Sequence, residues 1–430
     1  MSRAAHPESV GARRLPRGIV RRVGWSLADQ VVSSGTNFAV GLILARSLSI
    51  EDFGAFSLAF FIYAFAISLA RAYPLDPLLI RYSVASPEKW RRGAAAAVGT
   101  STGVACVAAI GLIAVGVLVG GPMGAALLAL GATLPGLLTQ DAWRVAFFAA
   151  GRARSAFIND VVWALFLVPA FALAGLAGAS LFAIMLAWGL AASIAALFGV
   201  AQTRVVPRPD HALAWWREHD DLAARFLLET GLRTGLGQLV MIAIGAIAGL
   251  AAIGSIRAAQ LVMAPVQVLY LGASMAATPE AVRALDKSLG ALLRMGAGAS
   301  LGLALACLTW GGIALLIPDE LGRLVLRDTW DAARIYLPAS IVAQLGTVLI
   351  IGPGTSLRAF ANARLSLKVT ALTSVFGVGL PVIGASMGGL GAAWGLALAS
   401  LVGAAIWWLA LPSGIRTWQR AEASPRATLV

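Results

Sequence analysis

The chain reads as an all-α, polytopic membrane protein: twelve transmembrane helices in two six-helix lobes related by a pseudo-two-fold axis along the membrane normal. Three observations predict this. Hydrophobic residues make up 59% of the 430 residues and charged ones only 12%, far from the balance of a soluble domain. Twelve stretches approach the roughly 20 apolar residues that a spanning helix needs. The basic residues alternate between the connections. With the N-terminus in the cytosol, 27 of the 33 Lys and Arg fall on the inner side. An error of one span would destroy that alternation.

In chain order, residues 1–24 are polar and Arg-rich, too charged for a cleavable leader, and read as a cytosolic basic tail. Spans follow at roughly 25–45, 53–73, 94–119, 123–143, 157–178 and 180–202, giving an N-terminal lobe over 25–203. Very tight turns join three helix pairs, at 120–123, 176–180 and 385–389, where Gly and Ser permit sharp reversals. Residues 204–225 form a cytosolic linker. The Trp215-Trp216 pair there suggests a piece lying at headgroup level. The C-terminal lobe, 226–411, holds spans at roughly 226–250, 254–278, 289–317, 335–357, 365–386 and 388–411. A cytosolic tail, 412–430, closes the chain. The outer segment 318–334 is long enough for a lid or a plain connector.

The halves resemble each other in sequence. Phe53-Gly54-Ala55-Phe56 is similar to Ile253-Gly254-Ser255-Ile256, and Ala187-Trp188-Gly189-Leu190-Ala191 recurs identically from Ala393 to Ala397. The weaker third match pairs Arg152-Ala153-Arg154 with Asn362-Ala363-Arg364. Matches in the same order at similar offsets indicate duplication. Six spans per half place both copies in the same orientation, with a cleft between them. The offset sets Glu229 against Asp29 and Arg233 against Ser33.

The first span carries Asp29, Gln30, Ser33, Ser34, Thr36 and Asn37, costly groups in a bilayer unless they face protein or water. The Asp-Gln entry, Asn37, the ILARSL run and EDFGAFSLA (51–59) resemble the first two helices of bacterial polysaccharide flippases. These belong to the superfamily of multidrug, oligosaccharidyl-lipid and polysaccharide (MOP) exporters. Arg144 with the later Gly-Arg-Ala-Arg, and the second-half GSIRAAQ run, are similar as well. The resemblance implies alternating access, moving a polyprenyl-(pyro)phosphate-linked sugar or oligosaccharide from the inner to the outer leaflet. It places the chain in the bacterial cytoplasmic membrane with both termini cytosolic. It implies a monomer whose partners are the lipid-linked glycan, membrane lipids, and glycosyltransferases or a polymerase of the same pathway. Relatives dedicated to the peptidoglycan precursor carry two further helices, and none is read here.

Such a substrate needs cationic and amide groups in a wet cavity. Arg233, Arg257, Arg71 and Arg81 are candidates for the phosphate, because a guanidinium makes two hydrogen bonds to it. Each has a plainer reading. Arg233 can pair with Glu229 one turn earlier, offsetting roughly 2.5–3.5 kcal/mol for a lone charge at a helix centre. Arg257 can snorkel to the interface. Arg71 and Arg81 can simply obey the charge asymmetry, flanking Pro74 and Pro77, which are expected to break the helix. Gln30, Asn37, Gln238 and Gln260 suit sugar hydroxyls, or serve as glue between helices. Asp29 and Glu229 are candidate ion-coupling groups for a proton or sodium ion, with the membrane potential as a further driving force, or helix-packing acceptors. No cofactor is implied.

The net charge of +13 does not point to nucleic acid, since the arginines lie between apolar spans. Cys106 and Cys307 give neither a disulfide framework nor metal-ligand spacing. No phosphate-cradling Gly-rich loop of the ATPase type is present. The acidic pairs Glu51-Asp52, Asp220-Asp221 and Asp319-Glu320 fall on different loops, which argues against an enzyme. The alternatives to a flippase are an ion-coupled multidrug exporter of the same fold and, behind it, a membrane glycosyltransferase or polymerase.

Overall fold

The computed structural model describes residues 17–83, 85–176, 178–231, 235–360 and 362–422. Arg233 and the side chain of Glu229 lie outside the described residues. The first half comprises α1 (Arg17–Ser47), α2 (Ile50–Ala70), α3 (Asp76–Tyr82), α4 (Pro87–Val119), α5 (Gly121–Ala149), α6 (Ala153–Leu176) and α7 (Leu181–Thr203). A linker leads into α8 (Ala212–Thr230). The second half holds α9 (Leu236–Ala248), α10 (Leu250–Val262), α11 (Ala264–Lys287), α12 (Leu289–Leu315), α13 (Asp319–Leu326), α14 (Thr329–Leu349), α15 (Ile351–Ala359), α16 (Ala363–Ala385) and α17 (Gly389–Glu422).

Nine of the described helical runs are long and apolar enough to cross a membrane. A tenth is the pair α10 and α11, bent by 66° at Met263, where Pro265 supplies no N–H to continue the helix. The remaining expected spans fall on α1 and on the α8–α9 run. This is the twelve-helix, two-lobe architecture expected from the sequence.

Small residues set how closely the helices approach. Within the first lobe Gly136 of α5 faces Ser193 of α7, so close that an added Cβ would sit 1.9 Å from the hydroxyl oxygen. Within the second, Gly346 of α14 faces Ser400 of α17 at 2.4 Å. The fourth and sixth spans of each half therefore interlock through the same residue pair. This supports duplication independently of the sequence matches. The tight turns close as their glycines require: Gly120, Gly121, Gly178 and Gly388 all have positive φ.

The lobes meet where α2 crosses α10. The crossing is built from the first sequence repeat. A Cβ on Gly54 would lie 1.9 Å from the Leu250 carbonyl oxygen, and one on Gly254 would lie 2.3 Å from that of Ile50. At this same end the 318–334 connector folds into α13. Thr329 donates from Oγ1 to the Ala45 carbonyl of α1 (2.9 Å), tying the second half to the first. Trp330 donates to Asp319 across the connector (2.9 Å). We call this end, which carries the tight turns, the hairpin end. The opposite end carries most of the arginines.

Two local expectations are corrected. Pro74 and Pro77 do not break the second span, which runs from Ile50 to Tyr82. A five-residue π-helical segment, Arg71–Leu75, absorbs Pro74, and Pro77 sits in the first turn of α3 where its missing N–H costs nothing. Trp215 is not free to anchor in headgroups: it is buried and packed at a tilt on His219 (4.0 Å between centroids), while Trp216 stays half-buried, edge-on against Tyr73 (4.8 Å). The linker helix thus docks on the basic end of the first lobe.

Candidate substrate cavity between the lobes

The polar residues of the spans converge on two adjoining cavities that share Asn37 of α1 in their walls. The smaller, of about 280 Å³, is bounded mainly by the first lobe. Arg144 of α5 is its hub. Its Nη2 and Nε donate to one oxygen of Asp29 on α1 at 2.6 and 2.9 Å. Its Nε also lies 3.3 Å from Asp160 on α6. Gln140, one turn before Arg144, donates to Asp160 at 2.8 Å. Arg71, at the start of the π segment, grips Asp141 with both arms of its fork, at 2.5 and 2.9 Å.

Asp29, Asp141 and Asp160 are all buried, Asp29 completely at 0% exposure. Three carboxylates thus face two guanidiniums. Paired buried charges of this kind are tolerated because the partners and their hydrogen bonds replace water. Among the described residues, the pairing leaves one negative charge over when all three carboxyls are ionised. Asp29 Oδ1 accepts no hydrogen bond from the described residues.

The larger cavity, of about 730 Å³, is bounded mainly by the second lobe. Its wall contains Arg257 and Gln260 of α10, Gln267 of α11, Ser340, Gln344 and Thr347 of α14, and Ser34 and Asn37 of α1. Gln344 donates to Gln267 at 3.1 Å, forming an amide shelf. Arg257 lies over the Phe60 ring (5.6 Å) and approaches the Gln260 side-chain oxygen at 3.5 Å. No carboxylate among the described residues comes within ion-pair distance of it. The rest of the wall is mostly apolar (Phe38, Met241, Met263 and several Leu, Ile, Val and Ala), with the hydroxyls of Thr373 and Ser400, so among the described residues the cavity offers one cation and several amides.

No family model and no curated protein matches the sequence. Solved structures do match in shape. An inward-facing conformation of a multidrug resistance MATE family transporter of the MOP superfamily superposes with a TM-score of 0.68, over 95% of this chain and 100% of that one, at 17% identity. The lipid II flippase MurJ, in an inward closed conformation, gives 0.63 over 91% and 87%, at 10% identity. An outward-facing MATE family transporter gives 0.54 over 94% and 96%, at 18% identity. The chain shares the fold of these proteins.

Within this fold, the expected site residues divide. Asn37, Arg257 and Gln260 meet in the larger cavity, and Asn37, Arg71 and Gln238 in the smaller. Arg257 does not snorkel to an interface; it sits in the wall of the cleft because α10 forms the lobe contact. Arg71 reaches the smaller cavity but is already held by Asp141. Gln30 donates to Ser34 (2.8 Å) and touches Arg144 (3.4 Å). Arg81 is not in either wall. It turns to the linker and donates to the Glu218 carbonyl at 3.0 Å. Arg233 and the side chain of Glu229 lie outside the described residues.

Gln140, Asp141 and Asp160 are not among the residues expected from the sequence, and Arg144, a further arginine candidate for the phosphate, is held by Asp29 and Asp160 instead. A signal was present: Thr139-Gln140-Asp141 interrupts an apolar span just as Asp29-Gln30 does, and Asn159-Asp160 opens the next one.

Proposed function

We propose that the chain is a flippase moving a polyprenyl-(pyro)phosphate-linked sugar or oligosaccharide between the leaflets of the bacterial cytoplasmic membrane by alternating access. It would serve cell-surface polysaccharide synthesis alongside glycosyltransferases or a polymerase. The observation that carries this reading is Arg257, a cation with no carboxylate partner among the described residues, set beside Gln260, Gln267 and Gln344 in a 730 Å³ cavity. A guanidinium free of ion pairing is available to a phosphate oxygen, and amides suit glycan hydroxyls.

Asp29 and its neighbours supply the coupling half of the proposal. A proton or sodium ion neutralises the surplus charge among Asp29, Asp141 and Asp160, and loosens Asp29 from Arg144. This ties ion occupancy to the packing of α1, which lines both cavities. Depleting the protein is expected to leave the lipid-linked sugar on the inner leaflet. An unchanged outer-leaflet pool would overturn the reading.

The surplus negative charge also favours a second reading, an exporter of cationic drugs, since a cation would find its counter-charge in the smaller cavity. Cells expressing the chain would then extrude a cationic dye. That efflux would survive Arg257→Gln and fall with Asp141→Asn, whereas lipid translocation is expected to show the reverse sensitivity to Arg257.

A further inference from the structure

A third concavity, remote from the central cleft, has the chemistry of a binding site of its own. It has a volume of about 690 Å³ and lies at the basic end, between the start of α4, the end of α7 and the linker into α8. Five cationic side chains line it: Lys89, Arg91, Arg92, Arg204 and Arg208. The charge asymmetry of a membrane protein asks for basic residues at this end. It does not ask that they surround one hollow, nor that their carboxylates be elsewhere. Arg92 pairs with Glu88 and Arg208 with Asp210. Lys89, Arg91 and Arg204 have no carboxylate within ion-pair distance among the described residues. Glu218 is the single acid in the wall, and it accepts from the Tyr82 hydroxyl at 3.5 Å.

The hollow is built by the fold. Arg204 ends α7 in a left-handed conformation (φ 53°) that turns the chain back across α4. Its carbonyl accepts from Arg91 Nη2 at 3.0 Å, which fixes that guanidinium at the rim. The Arg208 N–H donates to the Ala95 carbonyl at 2.8 Å. Beneath it lies Gly99, whose missing side chain lets the linker press on the helix: a Cβ there would be 2.3 Å from the Arg208 backbone. Beside the cations the wall also carries Val206, an apolar residue 71% exposed.

We infer that this hollow binds the headgroup of an anionic phospholipid, its phosphate between Lys89, Arg91 and Arg204 and its glycerol end against Val206. Three cations with no carboxylate partner among the described residues can supply charge-assisted hydrogen bonds to a phosphate diester of an anionic leaflet. The exposed apolar rim distinguishes a lipid from a soluble phosphate. A lipid seated there ties α4 and α7 to the linker that leads into the second lobe.

The test uses the full chain in detergent, titrated with dihexanoyl phosphatidylglycerol and, separately, with dihexanoyl phosphatidylcholine, while following binding and thermal stability. The glycerol lipid is expected to bind at least about tenfold more tightly than the choline lipid, a difference on the scale of one or two charge-assisted bonds. It is expected to raise the melting temperature. Arg91→Gln with Arg204→Gln should lose at least about tenfold in affinity, Arg91→Lys with Arg204→Lys should restore part of it, and Arg416→Gln, a basic residue outside the hollow, should change nothing. Equal binding of the two lipids by the unaltered chain would overturn the inference, with no dependence on how the variants fold. So would displacement of the glycerol lipid by equimolar inorganic pyrophosphate, which would mark a site for soluble phosphates.

Discussion

The two lobes share a scaffold and differ in how they treat charge. Gly136 against Ser193 and Gly346 against Ser400 set the same helix spacing in each half. In the repeated Ala-Trp-Gly-Leu-Ala run, however, Trp188 is 1% exposed among Phe56, Phe60 and Tyr63, whereas Trp394 is 46% exposed. The first lobe holds two arginines and three aspartates in a network of ion pairs. The second presents Arg257 with no acid within ion-pair distance among the described residues. The contrast separates two tasks that one cavity wall does poorly at once. A paired charge holds helices in register and responds to a proton or ion. An unpaired one is free for a ligand. Duplication kept the frame and let the chemistry diverge.

The comparison can be broken most forcefully at Arg144. Replacing it with Leu leaves Asp29 and Asp160 buried without their counter-charge, a loss of about 3–5 kcal/mol for a broken buried pair. The melting temperature of the solubilised protein should fall accordingly, and Asp29→Asn in the same chain should recover part of the loss. A fall no larger than that of a surface arginine would show that the network is not structural.

Next in size is the crossing of the lobes. Gly54→Val places methyl groups on the Leu250 carbonyl and forces α2 from α10, an overpacking cost of about 1–3 kcal/mol. A cysteine at position 37 should become more reactive toward a membrane-impermeant thiol reagent added from the hairpin end. The same reagent rate in Gly54→Val and the unaltered chain would show that this crossing does not close the cleft.

Arg257→Gln is expected to cost less than about 1 kcal/mol of stability, since it removes no ion pair, while abolishing movement of the anionic substrate. A destabilisation matching that of Arg144→Leu would mean that Arg257 has a partner after all, and the contrast between the lobes would fall.

The smallest effect is at the hairpin end. The Trp330 indole, followed by the Arg334 guanidinium, holds the Asp319 carboxyl below its usual range. A depressed folded value stabilises the docked connector above the ordinary carboxylate pKa near 4, with the benefit lost as pH falls through the lower folded value. A fluorine-labelled Trp330 should therefore shift its resonance below about pH 4, and Asp319→Asn should remove that dependence. A shift that persists in the variant would assign it to another group.

How much was legible depends on the range of the interaction. Apolar length and loop charge are local to each helix, so the span pattern and the two halves could be read directly. Asp29 could be read as a polar intruder for the same reason. Its partner could not, because Arg144 lies 115 residues away and reaches it only when α1, α5 and α6 rotate their polar faces toward one cavity. Pro74 misled because proline predicts a break from the missing N–H, and only the widened π turn shows how the helix continues. Trp215 misled because exposure at a membrane surface and burial beneath a docked linker helix have the same composition.

By itself, then, the sequence determined the solvent each helix requires, the alternation of its connections and the ancestry of its halves, since these follow from transfer free energy and repetition along the chain. The tertiary structure alone decided which charges are neutralised and which remain open. That outcome rests on helix rotations and approaches of a few ångströms, set by glycines such as Gly54, Gly136 and Gly254 packing against backbone and side chains far away in the chain.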